Sequence, residues 1–289
     1  MLDSVGVLAF TEFLSKDMQI KSIKIDNFKS LVNFELPLAK FSCLVGLNGS
    51  GKSTVLQFLD FLSQQVRGDL SGWLKQRQWE SSDLSSKLTR KKNINFEVLL
   101  IHSENFEIIW HGSFNRTTLQ CTNESIEWDE YQILEVADRN YNILTICEID
   151  DSPRIIGYVQ ESVIAGRITS NYQGSVISQI KESELPKELY EFKKFFANLH
   201  ALDLLAPELL RQRTRDAGNS LGLGGEKLSA FLHEIGEAKR DIIQAKLAKV
   251  YPQFKHLDIL SLRSGWKSLT IQEQFGDTIV KTEARHVAD

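Results

Sequence analysis

The sequence predicts an α/β fold, and three observations carry that expectation. Residues Gly46-Leu47-Asn48-Gly49-Ser50-Gly51-Lys52-Ser53-Thr54 satisfy the spacing GxxxxGK[ST]. The apolar run 41–45 leads straight into that segment, and Val55, Leu56, Phe58, Leu59 and Leu62 follow it at helical spacing. A strand before and an amphipathic helix after form the context in which this spacing makes a phosphate loop. Further along, short runs of alternating apolar residues separated by polar turns read as an antiparallel sheet.

A chain of 289 residues can bury a large core as one big domain or two small ones. Its 42% hydrophobic and 25% charged residues are ordinary for a globular protein, which excludes collagen-like, wholly disordered and membrane-embedded classes. The 34 basic and 38 acidic residues give a net charge of −4, the wrong sign for a dedicated DNA-binding domain. A local basic patch is compatible with that balance. Cys43, Cys121 and Cys147 lie far apart with no CxxC spacing, as in a reduced, cytoplasmic protein. The longest apolar stretches fall short of the ~20 residues that span a bilayer, so no membrane partner is expected. Val5 to Leu14 is apolar, but Asp3 and Glu12 flank or interrupt it and no basic region precedes it. It does not read as a signal peptide. Residues 1–17 are instead an alternative start or a loose extension.

The elements follow in order. Ile23 and Ile25 alternate with Lys24, and Phe34, Leu36 and Leu38 alternate after a turn near Asn33, giving two strands before the one that enters the loop. The helix after the loop ends near Gln65, ahead of Gly68. Residues 67–93 are Ser-rich and basic, with Lys75, Arg77, Lys87, Arg90, Lys91 and Lys92 around Trp73 and Trp79. They read as a solvated loop or short helix first, and as a nucleic-acid-contacting insertion second. Residues 95–159 form a β-meander, and Leu185, Leu189, Phe192, Phe195 and Phe196 mark one face of a helix over 184–199. Gly218, Gly222, Gly224 and Gly225 make a loop, after which 226–250 reads as one long amphipathic segment ended by Pro252. Residues 257–282 return to strands with a hairpin turn at Gly276-Asp277.

The chemistry expected of the loop follows from its residue types. The glycines let the backbone close round phosphates without a Cβ in the way, and backbone N–H groups at a helix N-terminus meet the negative charge. Lys52 is expected at the β- and γ-phosphates, the Ser53 hydroxyl on Mg²⁺, and Thr54 on a further phosphate. A nucleoside triphosphate, ATP, is therefore the expected ligand.

Two segments together carry a resemblance. Ile20-Lys-Ser-Ile-Lys-Ile-Asp-Asn-Phe-Lys-Ser-Leu31, followed by Leu44-Val-Gly-Leu-Asn-Gly-Ser-Gly-Lys-Ser-Thr54, is similar to the N-terminal lobe of ABC-type ATPases of the RecF/SMC kind. That group includes AAA-family ATPases related to OLD nucleases and to anti-phage ATPases. Weaker similarity runs through Leu204 to Arg211 and the glycine loop. The resemblance implies a P-loop NTPase of the ABC-head type with an antiparallel β lobe and a helical lobe, incomplete at its C-terminus. Its divisions would be 1–17 as extension, 18–160 as ATP-binding lobe, 161–255 as helical lobe and 256–289 as a returning β segment. Ala284 to Asp289 resembles the approach to the family's signature segment, with Ala288 where serine is usual.

In that family the signature, the Walker B carboxylates and the switch histidine lie beyond the position of Asp289. The resemblance thus implies an ATPase in the full-length protein and weak or no turnover in this chain. It also implies a homodimer closed around nucleotide, possible contact with DNA or an effector nuclease, and a role in DNA repair, maintenance or phage defence. The competing reading is a non-hydrolysing nucleotide-dependent scaffold or sensor; a third is the ATPase part of an OLD-type nuclease. Glu148, Asp150 and Asp151, or Asp129 and Glu130, are the only substitutes for the missing acids, and the meander explains the first group. Gln120, Gln132, Gln160 and Gln179 are equally eligible as the family's Q-loop glutamine. Arg211, Arg213 and Arg215 form a second basic cluster, read as a solvated, salt-bridged helix end before a phosphate or DNA contact.

Overall fold

The computed structural model describes residues 6–9, 18–102, 106–129, 131–149, 157–169, 171–201, 206–215, 221–222 and 224–286. They fall into two compact units divided between Ala201 and Leu202.

The first unit opens with strands β1 (Gly6–Ala9), β2 (Met18–Asp26), β3 (Phe34–Pro37) and β4 (Phe41–Leu44), then helices α1 (Lys52–Arg67) and α2 (Leu70–Gln76). Strands β5 (Asn93–His102), β6 (Glu107–Asn115), β7 (Gln120–Trp128), β8 (Tyr131–Ala137), β9 (Asn140–Ile149) and β10 (Gly157–Arg167) follow, and helix α3 (Lys187–Ala197) ends the unit. The expected meander is present: an eight-stranded sheet runs β10-β9-β8-β7-β6-β5-β2-β3, every pair antiparallel. In β5, alternation drives Ile94, Phe96, Val98 and Leu100 inward. In β2 a bulge between Ile20 and Ser22 resets the alternation, so Ile20 and Ile23 both face the core.

Helix α1 lies on the buried face of this sheet. Val55, Phe58, Leu59, Phe61, Leu62 and Val66 are buried along it. Phe58 meets Phe28 and Phe96 at ring separations of 5.3 and 6.1 Å, and Phe61 meets Phe114 edge-on at 5.0 Å. Helix α3 contributes Phe192 and Phe196 against Trp110, at 5.2 and 4.8 Å. Trp110 Nε1 donates to Oε1 of buried Glu124 at 2.9 Å, and Oε2 accepts from the Val176 backbone N–H. Burial pushes the Glu124 carboxyl up, against the opposing pull of the hydrogen bonds it accepts.

The segment 67–93 differs from its expected solvated state. Leu70, Trp73 and Leu74, at i, i+3 and i+4 of α2, join the core together with Leu84. Composition hid this, since the apolar residues are few but share one face. Asp60 of α1 anchors the segment by accepting from Trp73 Nε1 at 2.7 Å and from Arg77 Nη2 at 2.6 Å. The Arg77 side chain is fully enclosed there, an ion pair withdrawn from water.

The second unit carries α4 (Pro207–Leu210), α5 (Leu228–Glu234), α6 (Glu237–Val250) and a three-stranded antiparallel sheet of β11 (Phe254–Ser261), β12 (Lys267–Phe275) and β13 (Thr278–Glu283). The expected turn at Gly276-Asp277 joins β12 to β13, with Phe275 opposite Thr278. The long amphipathic segment expected over 226–250 is two helices, because Gly236 adopts φ 80 and breaks the ladder. Leu232, Leu269 and Ala284 centre a small core. Arg213 grips Glu283 with two bonds of 2.6 and 2.8 Å, and Ser268 Oγ donates to the same carboxylate. These donors hold Glu283 down to a pKa of about 2. No helix among the described residues is long and apolar enough to cross a membrane.

Two outcomes follow from these contacts. Asp60→Ala removes the carboxylate that the enclosed Arg77 guanidinium bonds, and urea denaturation should show a loss of about 3–5 kcal/mol. Glu283 has a folded pKa below its ordinary value of 4.5, so its contribution is present above pH 4.5 and lost as the pH falls toward 2. The melting temperature of the parent chain should therefore drop more steeply between pH 5 and pH 3 than that of Glu283→Gln. The difference is modest, because the pair is partly solvated and screened.

Candidate functional site

The chain leaves β4 at Leu44, turns through residues 46–51 and enters α1 at Lys52. The turn closes where Ser50 N–H donates to Leu47 O at 3.2 Å. Gly49 and Gly51 hold φ of 83° and 92°, a left-handed backbone that side chains resist. A Cβ on Gly46 would come within 2.9 Å of Ser50 Oγ, so glycine there has a packing reason as well.

The amino end of α1 is open. Gly51 offers no side chain to cap it, and no acidic residue sits in the first turn. The first N–H groups of a helix have no intrahelical acceptor, and together with the helix dipole they favour an anion. Lys52 folds its ammonium back across the loop, donating to Gly46 O at 2.7 Å and Leu47 O at 2.9 Å. Ser53 is exposed, and its hydroxyl makes no hydrogen bond among the described residues. This arrangement can take a polyphosphate: a ring of donors, one cation at its centre, and a free hydroxyl at its rim.

Two residues outside the sequence motif reach the loop and the helix behind it. Ser30 Oγ donates to Thr54 Oγ1 at 3.2 Å, and it also lies 3.4 Å from where a Cβ on Gly51 would sit. Lys29 Nζ donates to Gln57 Oε1 at 3.0 Å, one turn into α1, and rests 3.1 Å above the Trp79 ring. Lys29 and Ser30 occupy the corner between β2 and β3, where Asn27, Lys29 and Asn33 all take positive φ. The turn signal near Asn33 marks this corner in the sequence, but nothing in its spacing shows that it closes on the loop.

The candidate acids and glutamines lie elsewhere. Glu148 belongs to β9, five strands from β2, or about 24 Å across the sheet at the usual strand spacing. Asp129 sits in the hairpin turn after β7, its N–H bonded to Glu107 O; Glu130, Asp150 and Asp151 are outside the described residues. Gln120 and Gln179 gather near Gly68, at the far end of α1, about 24 Å along the helix from the loop. Gln132 is on β8, four strands from β2, and Gln160 is on the edge strand β10. Among the described residues no cluster of three His, Cys, Asp or Glu side chains could hold a metal. Ser53 could offer a divalent cation no more than one oxygen, so phosphate, water and a carboxylate would have to supply the rest.

The basic clusters are partly committed. Arg213 is locked onto Glu283, and Lys91 pairs with Asp26. Lys87, Arg90 and Lys92 are exposed.

A mixed α/β unit with a phosphate loop at the open end of a buried helix defines a P-loop ATPase domain. The family described as "AAA ATPase domain" matches residues 18–256, and the chain belongs to that family. The OLD nuclease of Thermus scotoductus (strain ATCC 700910 / SA-01) is 30% identical over 131 residues, 43% of this chain and 21% of that protein. The matched part is thus about a fifth of that relative's length.

Ser30→Ala should free the Thr54 hydroxyl and weaken ATP binding by a factor of about 5, roughly the worth of one hydrogen bond. Calorimetric titration checks this, with the melting temperature unchanged within about 2 °C.

Proposed function

We propose that this chain is the ATP-binding head of an ABC-type ATPase, and that the head is the ATPase part of an OLD-type nuclease. The observation that carries the reading is the open amino end of α1 with the Lys52 ammonium folded over the loop. The backbone N–H groups of residues 49–54 would surround the phosphates, Lys52 would reach the β- and γ-phosphates, Ser53 would ligate Mg²⁺, and Thr54 would hold a further oxygen. Lys52 would have to exchange its two backbone acceptors for phosphate oxygens, an exchange favoured by charge-assisted bonding.

Hydrolysis needs a carboxylate to orient the attacking water and to complete the metal's coordination. The acids of this chain considered for that role lie on the meander, away from the loop or outside the described residues. The carboxylate would therefore come from a Walker B segment outside these 289 residues, and closure around ATP from the signature of a second copy. The strand entering the loop supports such a completion: Phe41, Val45 and Leu47 are 62%, 80% and 76% exposed, an apolar stretch that awaits cover. The same placement of acids favours, as second reading, a nucleotide-dependent scaffold that binds without turnover. The cellular role proposed is DNA repair, maintenance or phage defence, in the cytoplasm.

Lys52→Ala should abolish ATP binding in a calorimetric titration, since it removes the one cation inside the loop; unchanged affinity would overturn the site. The isolated chain should release phosphate more slowly than ~1 per second, the low end of ordinary enzyme turnover. Faster release that disappears in the Lys52→Ala control would place a working carboxylate within this chain. If DNA binds, Lys87→Ala, Arg90→Ala and Lys92→Ala together should weaken it and flatten its salt dependence by about three phosphate contacts. Arg213→Ala should leave DNA affinity alone and lower stability, because its guanidinium is already spent on Glu283.

A further inference from the structure

At the opposite end of α1 from the phosphate loop, four connections of the first unit surround a second concavity, of 460 Å³. Thr118 comes from the β6–β7 turn, Gln120 from the start of β7, Arg139 from the β8–β9 turn, and Asn171, Tyr172 and Gln173 from the segment after β10. Gly68 and Gln179 complete the wall. We propose that this concavity is a binding site for a nucleoside 5′-monophosphate group, separate from the ATP site and untouched by its chemistry.

The lining decides the class of ligand. It holds carboxamides, a hydroxyl and one guanidinium, with no carboxylate, histidine or cysteine, so it is not built for a metal. The one ring, Tyr172, is buried with its hydroxyl bound to Cys121 O at 2.7 Å, so there is no apolar floor for a lipid. Gln173 is spent on Ser71, whereas Thr118, Gln120, Asn171 and Arg139 make no side-chain bonds among the described residues. Free carboxamides present donors and acceptors together, which suits the edge of a base or the hydroxyls of a sugar. The guanidinium adds a fork for a phosphate. The size admits one nucleotide and excludes a duplex.

A second, independent observation concerns the turn that carries Arg139. Asp138 and Arg139 link β8 to β9 with φ of 51° and 64°, the left-handed pair of a two-residue hairpin. Asn-Gly fills such a turn without strain, whereas an arginine in that conformation costs about 1–2 kcal/mol. Strain held at a residue that lines a cavity points to use of its side chain. Polarity also sets the orientation. The carbonyl end of α1 reaches the cavity at Gly68 and favours the donor groups of the ligand, leaving the phosphate to Arg139.

The same strain supplies the test. Arg139→Gly removes the guanidinium and relaxes the turn, so it should raise the melting temperature by about 2–4 °C while destroying the site. AMP is titrated into the full chain carrying Lys52→Ala, which silences the phosphate loop, with and without Arg139→Gly. Saturable binding that falls at least tenfold in the double variant, with the melting temperature maintained or raised, is the expected result. A 5′-phosphorylated 8-mer of thymidine and its unphosphorylated form run in parallel. Binding of AMP alone identifies a free nucleotide as the ligand, and preference for the phosphorylated 8-mer identifies a DNA end. Absence of binding by AMP and both 8-mers, or equal binding with and without Arg139→Gly, overturns the proposal. Because Lys52 is already removed, neither result bears on the ATP site.

Discussion

Helix α1 has to be buried and open at once, and the rest of the first unit is arranged around that conflict. Its body carries Phe58, Phe61 and Leu62 with no exposure to solvent, which fixes its axis against the sheet. Its first turn must stay unfilled, because a capping side chain would occupy the place of a phosphate. The left-handed Gly51 resolves the conflict by delivering the chain into the helix without a side chain, while the aromatic packing two turns later holds the axis still. A donor ring works only if its members do not move when charge arrives. Packing of phenylalanines several residues away is therefore part of the phosphate site.

The same helix ties distant segments together. Asp60 reaches Trp73 and Arg77 of the following segment, and Arg77 in turn stacks 4.9 Å from Trp79, the ring beneath Lys29. A line of polar and aromatic contacts thus leaves α1, passes through α2 and returns to the corner of β2 and β3 beside Thr54. The reading of the basic segment as a solvated loop or short helix anticipated a helix such as α2 but not this inward bracing. Arg77, Trp73 and Trp79 face inward to brace the corner beside the loop, while Lys87, Arg90 and Lys92 stay exposed.

Much of the architecture was legible in the chain because it rests on local patterns. The phosphate loop is written contiguously, and the meander strands announce themselves by alternation with polar turns. What escaped depends on pairs distant in sequence. Nothing near Ser30 states that it meets Thr54, 24 positions on. The split at Gly236 was hidden because apolar periodicity continues across it, and the phase change appears only in the backbone angle. The glutamines show the limit of matching by type: all four were eligible in sequence, and in three dimensions Gln120 and Gln179 lie near Gly68, at the end of α1 away from the loop.

The order of strands also bears on how the chain acquires its shape. From β5 to β10 each strand pairs with its sequence neighbour across a turn, so these hairpins close over short loops and can assemble early. Strand β2 instead pairs with β5, joining Met18 to His102 across a loop that contains the entire phosphate segment and both helices. Closing a loop of that length carries a larger entropic barrier, and it cannot be repaid until α1 has a sheet to lie on. The phosphate loop is thus among the last parts of the unit to form. On this topology the meander would be in place before the unit can hold nucleotide, and Phe58, Phe61 and Phe96 would stay uncovered until α1 settles.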